Sequence, residues 1–104
     1  MKKLIVSLGL ALTLSFGATL DEGVEAFEKG DYKTALQIFE ELSYKNNAKA
    51  KYNLGVMYDN GYGVKQDYKK AKEWYEKAAA QGDVEAQYNL GVMYDNGYGV
   101  KQDY

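Results

Sequence analysis

The sequence has no cysteine, no histidine and no proline, and all 13 of its basic residues are lysine. Without cysteine or histidine there is no Cys–His or Ser–His–Asp nucleophile, no structural zinc, no CxxC redox pair and no haem ligand of those kinds. Disulfides are excluded too, so packing alone must hold the fold. Against 15 acidic residues the lysines leave a formal charge of −2, which gives no basic field for nucleic acid. The N-terminal apolar run, Leu4–Phe16, has 13 residues, too few to span a bilayer comfortably. At 104 residues there is room for one small domain at most. What is plentiful is tyrosine and glycine, 11 of each, with alanine, lysine and carboxylates around them.

The chain opens like an export signal. Lys2-Lys3 is a short positive start, Leu4–Phe16 is the apolar segment, and Ser15-Phe16-Gly17 places small residues where a signal peptidase reads. The expected division is residues 1–17 as signal peptide, with the processed chain beginning at or near Ala18 and ending up secreted or periplasmic. No cysteine follows the apolar segment, so the lipoprotein route is closed. Cleavage there leaves no membrane span and makes the remaining chain more acidic, because two lysines go with the leader.

A period of 36 organises the rest. Tyr52–Tyr68 reads YNLGVMYDNGYGVKQDY, and Tyr88–Tyr104 repeats it letter for letter. The same offset relates Asp31-Tyr32 to Asp67-Tyr68, Ala35 to Ala71, Phe39 to Tyr75, Asn47 to Asp83 and Ala50 to Ala86. Fixed periods of this length mark stacked supersecondary units. Within a unit the spacing is helical: Ala50, Leu54 and Tyr58 with Met57, then Ala71, Trp74, Tyr75 and Ala78. Asn60-Gly61 suits a left-handed helix end, Asp67 and Asp83 suit N-caps, and Gly82 suits a stop. The predicted helices are Thr19–Lys29, Tyr32–Tyr44, Ala48–Asp59, Tyr68–Gln81 and Val84–Asp95, with no strand. Gly55 and Gly91 fall in mid-helix, at a cost of about 1 kcal/mol relative to alanine. That cost is tolerable where a neighbouring backbone must come close, here that of the second helix of the pair.

Ala50-Lys51-Tyr52-Asn53-Leu54-Gly55-Val56-Met57-Tyr58, Gly61-Tyr62-Gly63-Val64, Asp67-Tyr68, Lys70-Ala71, Trp74-Tyr75 and Ala78-Ala79-Ala80-Gln81-Gly82 together resemble the Sel-one-like repeat, a relative of the tetratricopeptide repeat. The match is close over about 55 residues and looser over most of the remainder. The resemblance implies an all-α fold: a right-handed α-α superhelix, or solenoid, of helix-turn-helix repeats with a concave inner face. The units would be residues 18–47, a tetratricopeptide-like repeat lacking the GYGVKQ stretch, then 48–83, then an incomplete 84–104. That makes about two and a half repeats, where solenoids usually need about three and a polar terminal cap. The expectation is therefore either a longer array or self-association through the open C-terminal repeat.

The function implied by the resemblance is protein or peptide binding through the concave face. With Leu54, Gly55 and Tyr58 turned toward the second helix of the pair, the groove candidates are Lys49, Tyr52, Asn53, Val56, Asp59 and Asn60. Their counterparts in the next unit are Glu85, Tyr88, Asn89, Val92, Asp95 and Asn96. An asparagine amide suits a peptide backbone because it both donates and accepts. The two patches are identical from Tyr52 to Asn60 and from Tyr88 to Asn96, which suggests the same chemistry presented twice, to a repetitive partner.

The alternative is enzymatic. Exported, cysteine-rich relatives are described as penicillin-binding or β-lactamase-like, which the resemblance extends to this chain and its residues support poorly. The one serine after the leader, Ser43, precedes Tyr44-Lys45 and does not form the S-x-x-K of serine β-lactamases. Asp59, Asp67, Asp95 and Asp103 read as cap and loop-edge carboxylates. No cofactor, metal ligand set or phosphate loop is expected; Asn60-Gly61-Tyr62-Gly63 reads as a turn, and Trp74, Tyr75, Tyr58, Tyr68 and Tyr94 as core aromatics. The lysines of the Tyr68–Gln81 helix read as a solvated face, with Glu73 pairing Lys77.

Overall fold

The computed structural model describes residues 17–98, so all of the expected signal peptide except Gly17, and the GVKQDY stretch at 99–104, lie outside the described residues. Five helices follow one another: α1 (Leu20–Glu28), α2 (Tyr32–Tyr44), α3 (Ala48–Asn60), α4 (Tyr68–Ala80) and α5 (Val84–Asn96). They are the helices expected from the period, and there is no strand among the described residues.

Each helix starts at a side chain suited to the task. The Thr19 hydroxyl accepts from the Glu22 N–H, and the Glu22 carboxylate accepts from the Thr19 N–H at 2.9 Å. Asp31, Asn47, Asp67 and Asp83 cap α2 to α5 by accepting from the N–H three residues on. The pairs spaced by 36 are thus equivalent: Asp31 with Asp67, and Asn47 with Asp83. Helix α3 ends at Gly61, whose φ of 73° is the left-handed conformation that glycine adopts without strain.

Each helix packs on the one before it and the one after, which gives an all-α helical-repeat solenoid of α1–α2, α3–α4 and α5. Small residues allow the close approach: Ala35, Ala50, Ala71, Ala78 and Ala86 are fully buried. One core cluster joins Ile38, Phe39 and Leu42 to Leu54 and Met57, and a second gathers around Tyr75 and Met93.

The mid-helix glycine has a clear cause, and it corrects the sequence-based expectation. What comes close to Gly55 is a side chain, where a backbone was expected. A Cβ on Gly55 would lie 2.5 Å from the Tyr75 ring. In the first pair Gly23 stands in the same relation to Phe39, at 2.6 Å. A ring from the second helix sits on a glycine of the first in both cases. A Cβ on Gly91 of α5 would meet nothing within 4 Å among the described residues, and Tyr94 beside it is left exposed.

The loop between α3 and α4 does more than turn. Tyr62 reaches back to the first pair, edge-on to Phe27 (5.2 Å) and tilted over Tyr32 (5.1 Å). One repeat later Tyr98 stacks on Tyr68 at 4.8 Å. A Cβ on Gly63 would strike the Cβ of Tyr32, so this loop lies close on the preceding unit.

Candidate functional site

Helices α3 and α5 carry the groove candidates; Lys49 of α3 reaches Glu85 of α5, and Val24 and Phe27 of α1 share a cleft with Tyr52, Asn53 and Val56 of α3. The two seams between them are built from matching positions but differ in chemistry.

The α3–α5 seam is closed by polar contacts. Lys49 donates to Asp83 Oδ2 at 2.8 Å and to Glu85 Oε1 at 2.7 Å. Burial disfavours the Lys49 charge, but the hydrogen bonds and charges of Asp83 and Glu85 outweigh it and raise its pKa above the ordinary lysine value. The same ammonium lies 4.8 Å above the Tyr52 ring. Tyr52 in turn packs against Tyr75, ring centroids 5.9 Å apart. The Asn89 amide lies beside both phenols. Burial raises the pKa of each phenol. The Asn89 amide opposes that shift in both, while the Asp59 carboxylate adds to it at Tyr75 and Glu85 adds to it at Tyr52.

The α1–α3 seam is open. Val24 and Phe27 of α1, Phe39 of α2, and Tyr52, Asn53 and Val56 of α3 line a cleft of about 210 Å³. Asn53 is the counterpart of Asn89, but its amide meets no hydroxyl. Phe39 occupies the place that Tyr75 has one repeat later, and Leu20, three residues before Gly23, stands where Tyr52 stands before Gly55.

Other candidates fall differently from the sequence-based reading. Asp59 was expected to project away from α4 and to pair with backbone; instead its Oδ2 accepts from the Tyr75 hydroxyl at 3.0 Å, toward α4. Asn60 and Asn96 donate to the carbonyls of Val56 and Val92 in their own helices, at 2.9 and 2.8 Å, so one N–H of each amide is already engaged. Tyr88 is 72 % exposed and Val92 half-buried, whereas their α3 counterparts both line the cleft. On α4 the observed ion pair is Lys72–Glu76 at 3.2 Å, where Glu73–Lys77 was expected; Lys77 lies over the Trp74 ring instead. Sequence reasoning missed the Asn89–Tyr75–Tyr52 group. Its only signal was the Phe39-to-Tyr75 difference within the period.

For the enzymatic alternative, the Ser43 hydroxyl donates to the Glu40 carbonyl of its own helix at 2.6 Å, and Lys45 lies toward Glu41. Among the described residues no cluster of Asp and Glu is arranged to hold a metal ion, and no helix is long and apolar enough to cross a membrane.

A family model described as Sel1 repeat matches residues 48–83 and 84–104. Among solved structures, a Sel1 repeat protein from Oxalobacter formigenes is similar over 82% of this chain and 35% of its own, at 42% identity and a TM-score of 0.75. A protective antigen present in uropathogenic Escherichia coli strains, displaying an SLR fold, is similar over 84% of this chain and 23% of its own, at 36% identity and a TM-score of 0.62. This chain therefore spans about a third of the first and a quarter of the second. No curated protein matches it.

Proposed function

We propose, because the chain belongs to the Sel1 repeat family, whose members are generally protein–protein interaction scaffolds, that it binds a protein partner through the side formed by α1, α3 and α5. The observation that carries this reading is the unfilled α1–α3 cleft, where apolar side chains and an unpartnered amide stand together on that side. The outer face of α4 carries lysines and glutamates with local i,i+4 pairing, and the larger recess at its start, between Tyr58, Val64 and Lys70, is lined mainly by polar and charged residues of the loop, Lys65, Gln66 and Asp67. Selection of a displayed peptide library on the chain tests the reading. Selected peptides should lose binding to Asn53→Arg, which fills the cleft, and keep it on Lys69→Glu, a change on the exposed α4 surface. Equal binding to both variants would remove the groove from the account.

Export and self-association belong to the same proposal. Ala18 is buried and Thr19 caps α1, so cleavage after Gly17 leaves the first helix and its cap whole; N-terminal sequencing of the exported protein checks it. The uncovered α5 surface at Gly91 and Tyr94 is the candidate self-contact, and sedimentation over a range of concentrations checks that.

A further inference from the structure

We infer that the α1–α3 cleft is a pocket for a single side chain, and that its occupant is an extended peptide segment in which one aliphatic residue is flanked by basic residues. This rests on the proposed binding side and specifies its partner.

Three observations fix the chemistry. The first is size. At about 210 Å³ the cleft falls below the roughly 300–1,000 Å³ of small-molecule sites and suits one apolar side chain. Val24, Phe27, Phe39 and Val56 supply the apolar walls.

The second is the amide. Asn89 lies beside two phenols, whereas Asn53 has no hydrogen-bond partner among the described residues, and Phe39 and Leu20 in the matching places carry no hydroxyl. An amide at the mouth of an apolar pocket, free to donate and accept, matches the N–H and C=O that flank a side chain in an extended peptide.

The third is charge. Asp21 and Glu28 lie three residues before and four after Val24, on the same face of α1 as the cleft wall. Both are exposed, and neither has an ion pair among the described residues. Of the α3 lysines, Lys49 is held by Asp83 and Glu85, and Lys51 is engaged by Asn46 and Gln81. The rim therefore presents negative charge without a compensating lysine, which selects basic residues beside the buried one. The identical patch on α5 does not repeat this site, because its seam is closed. The partner therefore anchors once, where the duplicated sequence suggested twice.

Fluorescence anisotropy of the full 104-residue chain with labelled peptides tests this. The probe is a serine-rich peptide with one central leucine and a lysine two residues to either side. Companion peptides replace the leucine by serine or the lysines by glutamate. Burial of the leucine should make the first peptide roughly ten- to a hundredfold tighter than the leucine-free one. The glutamate peptide should bind about tenfold more weakly, and added salt should weaken the lysine peptide. Asn53→Ala should weaken binding about fivefold with an unchanged helical spectrum, and Glu28→Gln should reduce the salt dependence. Absence of binding at millimolar peptide, or equal binding of the leucine-free or glutamate peptide, would overturn the inference. If library peptides bind the cleft side but are acidic or lack an aliphatic anchor, the inference falls and the binding side stands. If binding ignores Asn53→Arg altogether, the binding side falls as well.

Discussion

Gly55 and Gly91 stand in the same stretch, Tyr-Asn-Leu-Gly-Val-Met-Tyr, yet replacing them by alanine should have opposite effects. At Gly55 the added carbon meets the buried Tyr75 ring at 2.5 Å, and that ring is wedged between α3 and α4 with no room to retreat. Overpacking of this kind costs about 1–3 kcal/mol. At Gly91 the added carbon meets nothing within 4 Å among the described residues, and a helix interior gains about 0.5–1 kcal/mol from alanine over glycine. In thermal melts of the 104-residue chain Gly55→Ala should therefore lower Tm and Gly91→Ala should raise it, by several degrees each in a domain this small. Two shifts of the same sign would contradict the ring-on-glycine packing. The comparison separates helix propensity, which is equal at the two sites, from tertiary contact, which is not.

At the scale of elements, helices and caps were legible because their causes are local. Asp67 and Asp83 cap their helices through atoms three residues away, and a period of 3.6 reports a buried face whatever lies against it. The seams were not legible, because a seam belongs to two repeats. Identical residues at Asn53 and Asn89 meet Phe39 in one case and Tyr75 in the other, so identity of one wall does not carry over to the cavity between walls. The role of Tyr62, packed against Phe27 and Tyr32, was hidden for the same reason: a Gly-Tyr-Gly turn names its own backbone but not the rings it reaches. Tyr75→Phe tests the distinction directly. The ring still covers Gly55, as Phe39 covers Gly23, but the bond to Asp59 and the contact with Asn89 are lost. The expected cost is about 1–2 kcal/mol, well below that of Tyr75→Ala, which also removes the buried ring. Equal Tm losses for the two variants would show that the hydroxyl, and not the ring, holds the α3–α4 pair.

For the molecule as a whole, the uneven distribution of polar contacts predicts how it responds to alkali. Tyr75 and Tyr52 have folded pKa values raised above the ordinary 10.0, first because burial disfavours the phenolate. Lys49 is raised above 10.5, since Asp83 and Glu85 outweigh the burial that opposes its charge. In each case the folded chain keeps its proton at a pH where the unfolded chain has released it. The associated stability is therefore complete below the ordinary pKa values and is lost as pH rises through the folded ones. Lys29 is raised as well, by Glu25, but that pair is fully in solvent and screened. The three groups that matter all lie where α3, α4 and α5 meet, and none lies on α1 or α2. Urea midpoints followed by circular dichroism should hold roughly level from neutral pH to about 10 and fall beyond it. Tyr75→Phe should flatten that fall, because the phenylalanine ring has no proton to release. A midpoint unchanged through about pH 11, or a fall of equal steepness in Tyr75→Phe, would mean that the α3–α5 seam is not where the structure couples protons to folding.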